Sequence, residues 1–208
     1  MYLPPHFKMD ELGPIHAAMR ASRLATLVTA TADGLIGTPL PLILNAHEGE
    51  YGTLYGHVAR PNPQWKLPAT GEAMAIFMGP DAYVTPSWYV TKAEHGKVVP
   101  TWNYVAVHAY GAAEFFEDAD RLLDVVTRLT ELHEKSRAEA WQVSDAPDDF
   151  IKAQLRGIVG FRMPITRIDA KKKMSQNRKL EDRAGVIAGL GESDNPVDHE
   201  VAAMIPAN

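Results

Sequence analysis

The feature that most constrains this chain is a series of β-rich runs joined mostly by turn residues, with few helical patterns between them. Residues 24–30 are apolar and β-branched, Asp33-Gly34 follows, and residues 35–44 form a second such run. This is the signature of a hairpin. His47-Glu48-Gly49-Glu50 turns the chain into a third run at 51–58. Further runs are read at 73–78, at 82–85 beyond a Gly79-Pro80-Asp81 turn, at 98–116 with a bend near Pro100 or Gly111, and at 158–168 as the last strand. Short connections pair strands antiparallel, because parallel neighbours need long crossovers. Pro39 and Pro41 cannot donate to a ladder, so the second run has an edge or bulged stretch.

Helical patterns sit at the ends and in a few gaps: 10–22, a short one from about 60 to 70, 118–135, 147–156 and 181–190. The third is the clearest. Asp118 or Asp120 caps it, and Leu122, Val125, Val126, Leu129 and Leu132 form one apolar stripe. The sum is an α+β chain: an antiparallel barrel with flanking helices, one domain over residues 1–190, and a flexible tail over 191–208.

The chain has 208 residues and no cysteine. Disulfides, thiolate nucleophiles and cysteine-ligated metals are excluded, which suits a cytoplasmic protein. No apolar run approaches the roughly 20 residues of a membrane helix, and the first residues lack a signal-peptide pattern. The eight histidines form no His-x-x-x-His pair, so no metal site is read. There is no phosphate loop, no dinucleotide fingerprint and no nucleophile elbow. The net charge of −5 argues against a generally basic nucleic-acid binder, but it hides a split. Residues 151–183 hold 10 basic and 3 acidic side chains; the rest of the chain is acidic. An anionic partner or a solvated basic rim both suit that segment.

Four segments carry more polar and aromatic groups than plain loops need. In residues 56–65, Gly56, His57, Arg60, Asn62 and Gln64 stand where a strand ends and a helix begins. Free N–H groups and an arginine there suit a phosphate, and equally a proline-stiffened turn. Ser87-Trp88-Tyr89 and Thr101-Trp102-Asn103-Tyr104 place four aromatics beside hydroxyl and amide groups, which suits a flat, polar-edged ligand or a plain core. Lys171-Lys172-Lys173-Met174-Ser175-Gln176-Asn177-Arg178 follows the last strand and suits a polar ligand, a nucleic-acid backbone or a solvated connector.

Those blocks, with Val143-Ser144-Asp145-Ala146-Pro147, stand in one order along nearly the whole chain, and in that order the sequence resembles the PaiB-type FMN-binding negative transcriptional regulators. The resemblance implies a split β-barrel of the FMN-binding type, related to pyridoxamine-phosphate oxidases. It implies a homodimer with FMN in a groove between subunits. By that similarity Gly56, His57, Arg60, Asn62 and Gln64 meet the flavin phosphate, and Thr38 and Leu40 lie along the flavin. Trp88, Trp102 and Asn103 wall the ring, and Ser175, Gln176, Asn177 and Arg178 close the site, from the partner subunit or the same one. Lys172 stands where the family often carries a tryptophan. The family label implies repression through DNA or a regulatory protein partner. A flavin-dependent oxidoreductase and a haem-binding split barrel are the alternatives; no acid–base or nucleophile set is evident.

Overall fold

The computed structural model describes residues 1–207. In chain order it has α1 (Leu12–Ala21), β1 (Ala25–Thr31), β2 (Gly34–Leu40), β3 (Ile43–Asn45), β4 (Thr53–Ala59), β5 (Ala73–Val84), α2 (Thr91–His95), β6 (Thr101–Gly111) and β7 (Glu114–Phe116). It continues with α3 (Ala119–Glu134), α4 (Asp148–Leu155), β8 (Ile158–Pro164), β9 (Arg167–Lys173), α5 (Leu180–Gly191) and α6 (Pro196–Met204). Single 3-10 turns lie at Pro5–Phe7, Pro63–Trp65, Pro86–Trp88 and Val143–Asp145. One antiparallel sheet has the order β2-β1-β5-β6-β9 and the other β3-β4-β8-β7.

The hairpin at Asp33-Gly34 forms because Gly34 takes a φ of 119°, and the register that follows pairs Thr31 with Gly34 and Leu27 with Thr38. That register turns Ala25, Leu27 and Thr29 inward. The second run forms an edge strand of its sheet, as its prolines predict, and it ends before Pro41 and resumes as β3.

Four expectations change. Strand β5 runs unbroken through Gly79-Pro80-Asp81, where a turn was expected. Gly79 is there for close approach: a Cβ would lie 2.8 Å from Val105 Cβ. The run at 158–168 is two strands, β8 and β9, so Lys171, Lys172 and Lys173 lie within a strand and not in a connector after it. The helix expected after Arg60 is a single 3-10 turn. Beyond residue 191, where a tail was read, the chain forms α6, with Asn195 capping Val197 N at 3.1 Å and Val201 fully buried. The long run at 98–116 does bend at Gly111, whose missing Cβ makes room for Pro164.

The chain divides into two compact units, and strands β5 and β6 pass from one into the other. Residues 20–77 and 108–168 form one unit. Its α3 begins as read: Asp118 accepts from Arg121 N at 2.9 Å, and Leu122, Val125 and Leu129 pack with Phe116 and Leu155. Residues 1–19, 78–107 and 169–207 lie in the other. Its core joins Val84, Tyr89, Val105, Met174, Val186, Leu190 and Val201. The buried Asp182 of α5 accepts from Thr91 N (3.0 Å) and Thr91 Oγ1 (2.8 Å), which fixes the start of α2.

Candidate functional site

The residues expected at the site fall into two sets, one in each unit. In the unit of residues 20–77 and 108–168, Thr38, Asn62 and Gln64 come together. Asn62 Nδ2 donates to Thr38 Oγ1 at 2.9 Å, and Asn62 Oδ1 caps the 3-10 turn by accepting from Gln64 N at 2.9 Å. The Gln64 side chain is wholly buried, and its Nε2 donates to Leu27 O, Thr29 Oγ1 and Ile36 O at 3.1–3.3 Å. It pins the β1–β2 hairpin to the turn. Leu40 is in the core, and Gly56 lets Leu42 and the Pro41 carbonyl approach β4 within 3.0 Å of where a Cβ would stand.

Arg60 is not the open cation its sequence position suggests. Its Nε donates to Arg156 O (2.5 Å), its NH2 to Ile158 O (3.1 Å) and its NH1 to Glu117. The backbone donors of the turn are used as well: Arg60 N bonds Gly157 O, Asn62 N bonds Ala59 O, and residues 61 and 63 are prolines. The turn therefore has few unspent N–H groups of the kind that anion sites use. His57 differs. Its Nδ1 is buried without a partner, and burial holds its imidazole below the usual histidine range, so the ring is neutral at pH 7.

In the other unit, Ser175–Arg178 forms a tight turn at the end of β9. Ser175 takes a φ of 56°, rare for a residue with a side chain. Asn103 Nδ2, fully buried, donates to Ser175 Oγ at 3.0 Å and holds that conformation. Gln176 folds back, accepting from Met174 N at 2.6 Å and donating to Lys172 O at 2.5 Å. Asn177 is exposed, and the Arg178 guanidinium lies 4.7 Å from the Tyr89 ring. The two tryptophans part company. Trp88 packs on α5 over Gly185 and Gly189, where any Cβ would strike it, so it belongs to the core. Trp102 is 52% exposed, edge-on to Tyr83 with ring centroids 5.8 Å apart, and it keeps a free face.

Lys173, within the basic segment singled out in the sequence, joins this set. It donates to Thr101 Oγ1 at 2.8 Å and to the Trp102 carbonyl. Burial, then the neighbouring Lys171 and Arg178 charges, push its ammonium below the ordinary lysine range. Lys171 is 7% exposed, packed within 6 Å of the Tyr2, Phe7 and Tyr104 rings. Among the described residues, Lys171, Lys173 and Arg178 form no ion pair. Partly buried cations without a counter-charge are costly. Lys171 Nζ donates to the Tyr2 carbonyl at 3.3 Å. The signal in sequence is Lys171-x-Lys173, an i, i+2 pair that shares a face only once the segment is known to be a strand.

Other cations of the basic segment are paired: Arg162 with Glu48 (2.7 Å) and Glu114 (3.0 Å), and Lys179 lies between Glu94 and Glu181.

Two antiparallel sheets with flanking helices define an α+β fold of the split-barrel type. Solved structures agree on the fold. The flavocytochrome Anf3 from Azotobacter vinelandii matches with a TM-score of 0.62 at 14% identity, over 88% of this chain and 78% of that one. The conserved hypothetical protein Rv2991 from Mycobacterium tuberculosis matches with a TM-score of 0.56 at 15% identity, over 86% and 94%. Residues 1–167 match the family described as "Putative FMN-binding domain", and the chain belongs to that family, whose cofactor is FMN. It is 35% identical to the protease synthase and sporulation protein PAI 2 of Bacillus subtilis over 99% of this chain and 96% of the relative. It is 32% identical to an uncharacterized protein of Emericella nidulans, over 91% and 90%.

Proposed function

We propose that this protein is a cytoplasmic homodimer that binds FMN between subunits and acts as a flavin-dependent regulator of the PaiB type. The observation that carries the flavin contact is the unpaired Lys173 and Arg178 beside the exposed Trp102. Lys173 and Arg178 meet the phosphate charge. Trp102 offers a face to the ring, and Asn103 holds the strained Ser175 turn in place. Arg60, Gln64, Leu40, Gly56 and Trp88 support the frame. FMN supplies its own redox chemistry when bound, so the protein needs only to bind and orient it. The regulatory role is supported by the name of the Bacillus relative, and the dispersed basic segment favours a protein partner over direct DNA contact. Freedom from cysteine supports a cytoplasmic location, and no helix among the described residues is long and apolar enough to cross a membrane.

The test is a titration of FMN fluorescence with apoprotein. Saturable quenching with Kd on the order of 1 µM or tighter is expected, with riboflavin, which lacks the phosphate, at least about tenfold weaker. No saturable quenching refutes the flavin reading. Equal affinity for riboflavin refutes the phosphate assignment. A monomeric mass in sedimentation at micromolar concentration refutes the dimer.

A further inference from the structure

The segment Val143-Ser144-Asp145-Ala146-Pro147, singled out in the sequence, is built as a rigid wall. Gln142 N donates to Asp145 Oδ2 at 2.8 Å, and Asp145 N donates to Gln142 O at 3.0 Å, closing a capped 3-10 turn between α3 and α4. With those helices it encloses a cavity of about 680 Å³. Small-molecule sites typically span about 300–1,000 Å³. The walls are apolar, from Leu123, Val143, Ile151 and Leu155. Trp141 is 47% exposed, and its backbone N–H is tied to Glu134 Oε2 at 3.2 Å. Two smaller cavities of about 270 and 250 Å³ share Trp141 and Thr130 with the large one, and both reach His57, whose Nδ1 has no partner.

The charge around this space has a sign. Asp120, Glu131, Glu134 and Asp148 line it against Lys135 and Lys152. Glu134 pairs with Arg137 at 3.0 Å; Asp120, Glu131 and Asp148, like Lys135 and Lys152, form no ion pair among the described residues, which leaves the carboxylates in excess by one. An apolar slot, an open indole face and an excess of unpaired carboxylates together select a planar ring with a positive charge, since cations are attracted both to carboxylates and to indole. An anionic ring is disfavoured by the same set.

We infer that the cavity between α3, the Val143–Asp145 turn and α4 is a binding site for a small aromatic amine. The site lies within one compact unit.

The test uses the full-length protein and two fluorinated probes of similar shape and opposite charge, 4-fluorophenethylamine and 4-fluorophenylacetate, followed by ligand-observed fluorine NMR. The amine is expected to bind with Kd below about 1 mM, and the acid at least about tenfold more weakly. Ile151→Trp fills the cavity and should weaken the amine about tenfold while the FMN Kd stays within about twofold. The surface double variant Glu131→Gln, Asp148→Asn, which leaves packing alone, should remove most of the preference for the amine. Absence of binding by either probe, equal binding of both, or amine binding unaffected by Ile151→Trp overturns the inference. So does a change of oligomeric mass with Ile151→Trp, which would mean that a second copy covers the cavity. Loss of FMN binding with the amine response intact would refute the flavin reading alone.

Discussion

Replacing Arg60 with alanine separates a structural arginine from a phosphate ligand. The pair with Glu117 is open to solvent, with side-chain exposures of 35% and 55%, so it contributes under about 1 kcal/mol. The bonds to Arg156 O and Ile158 O tie the end of β4 to the α4–β8 connection, and each contributes about 1 kcal/mol. The guanidinium also lies 5.8 Å from the Trp65 ring centroid, a contact worth under about 1 kcal/mol at such an exposed site. Arg60→Ala should therefore lower stability by about 2–3 kcal/mol, or about 4–10 °C in Tm for a chain of this length. The FMN Kd should change by less than about twofold. Urea unfolding of the apoprotein and the FMN titration read the two effects separately. A phosphate ligand would behave in the opposite way, because a lost charge-assisted contact to a dianion weakens binding at least about tenfold. Unchanged stability with a tenfold rise in the FMN Kd would refute the reasoning and return the phosphate to the 56–65 turn.

Lys173→Met keeps the aliphatic stem and removes the charge; it should raise the FMN Kd at least about tenfold and leave riboflavin binding unchanged, and an equal effect on both ligands would count against a phosphate contact. Gly189→Ala drives a methyl into the Trp88 ring and should cost about 1–3 kcal/mol in urea unfolding despite better helix propensity, whereas Gly13→Ala, with open space around it, should be neutral or stabilising by up to about 1 kcal/mol. Burial lowers the His57 pKa in the folded state, so between that value and the unfolded one the unfolded chain binds more protons. Stability is then present above about pH 6.5 and lost on acidification, and His57→Phe should flatten this part of the pH profile measured between about pH 7.5 and 5.5. Asn103→Ala should release the Ser175 turn and weaken FMN, and Asn103→Ala combined with Ser175→Gly should recover part of the loss, since glycine takes a φ of 56° without strain.

Local physics wrote much of this fold into the sequence. The Asp33-Gly34 hairpin, the Asp118 cap with its apolar stripe, and the break at Pro41 each depend on a few adjacent residues, so each was legible without a partner. The family was legible too, because its blocks stand in order along the chain. Tertiary packing decided the rest. Gly79-Pro80-Asp81 looks like a turn but continues a strand, because Gly79 is needed where Val105 comes close. Arg60 looks like an anion ligand but spends its donors on Glu117 and two carbonyls. Trp88 looks like a flavin wall but fills a trough made by Gly185 and Gly189, nearly a hundred residues on. Lys171 and Lys173 suit a polar ligand, a nucleic-acid backbone or a solvated connector in sequence, and only β9 sets them on one face without an ion-paired carboxylate. A donor or a charge has a function only after its nearer partners have been counted, and those partners are brought by distant segments of the chain.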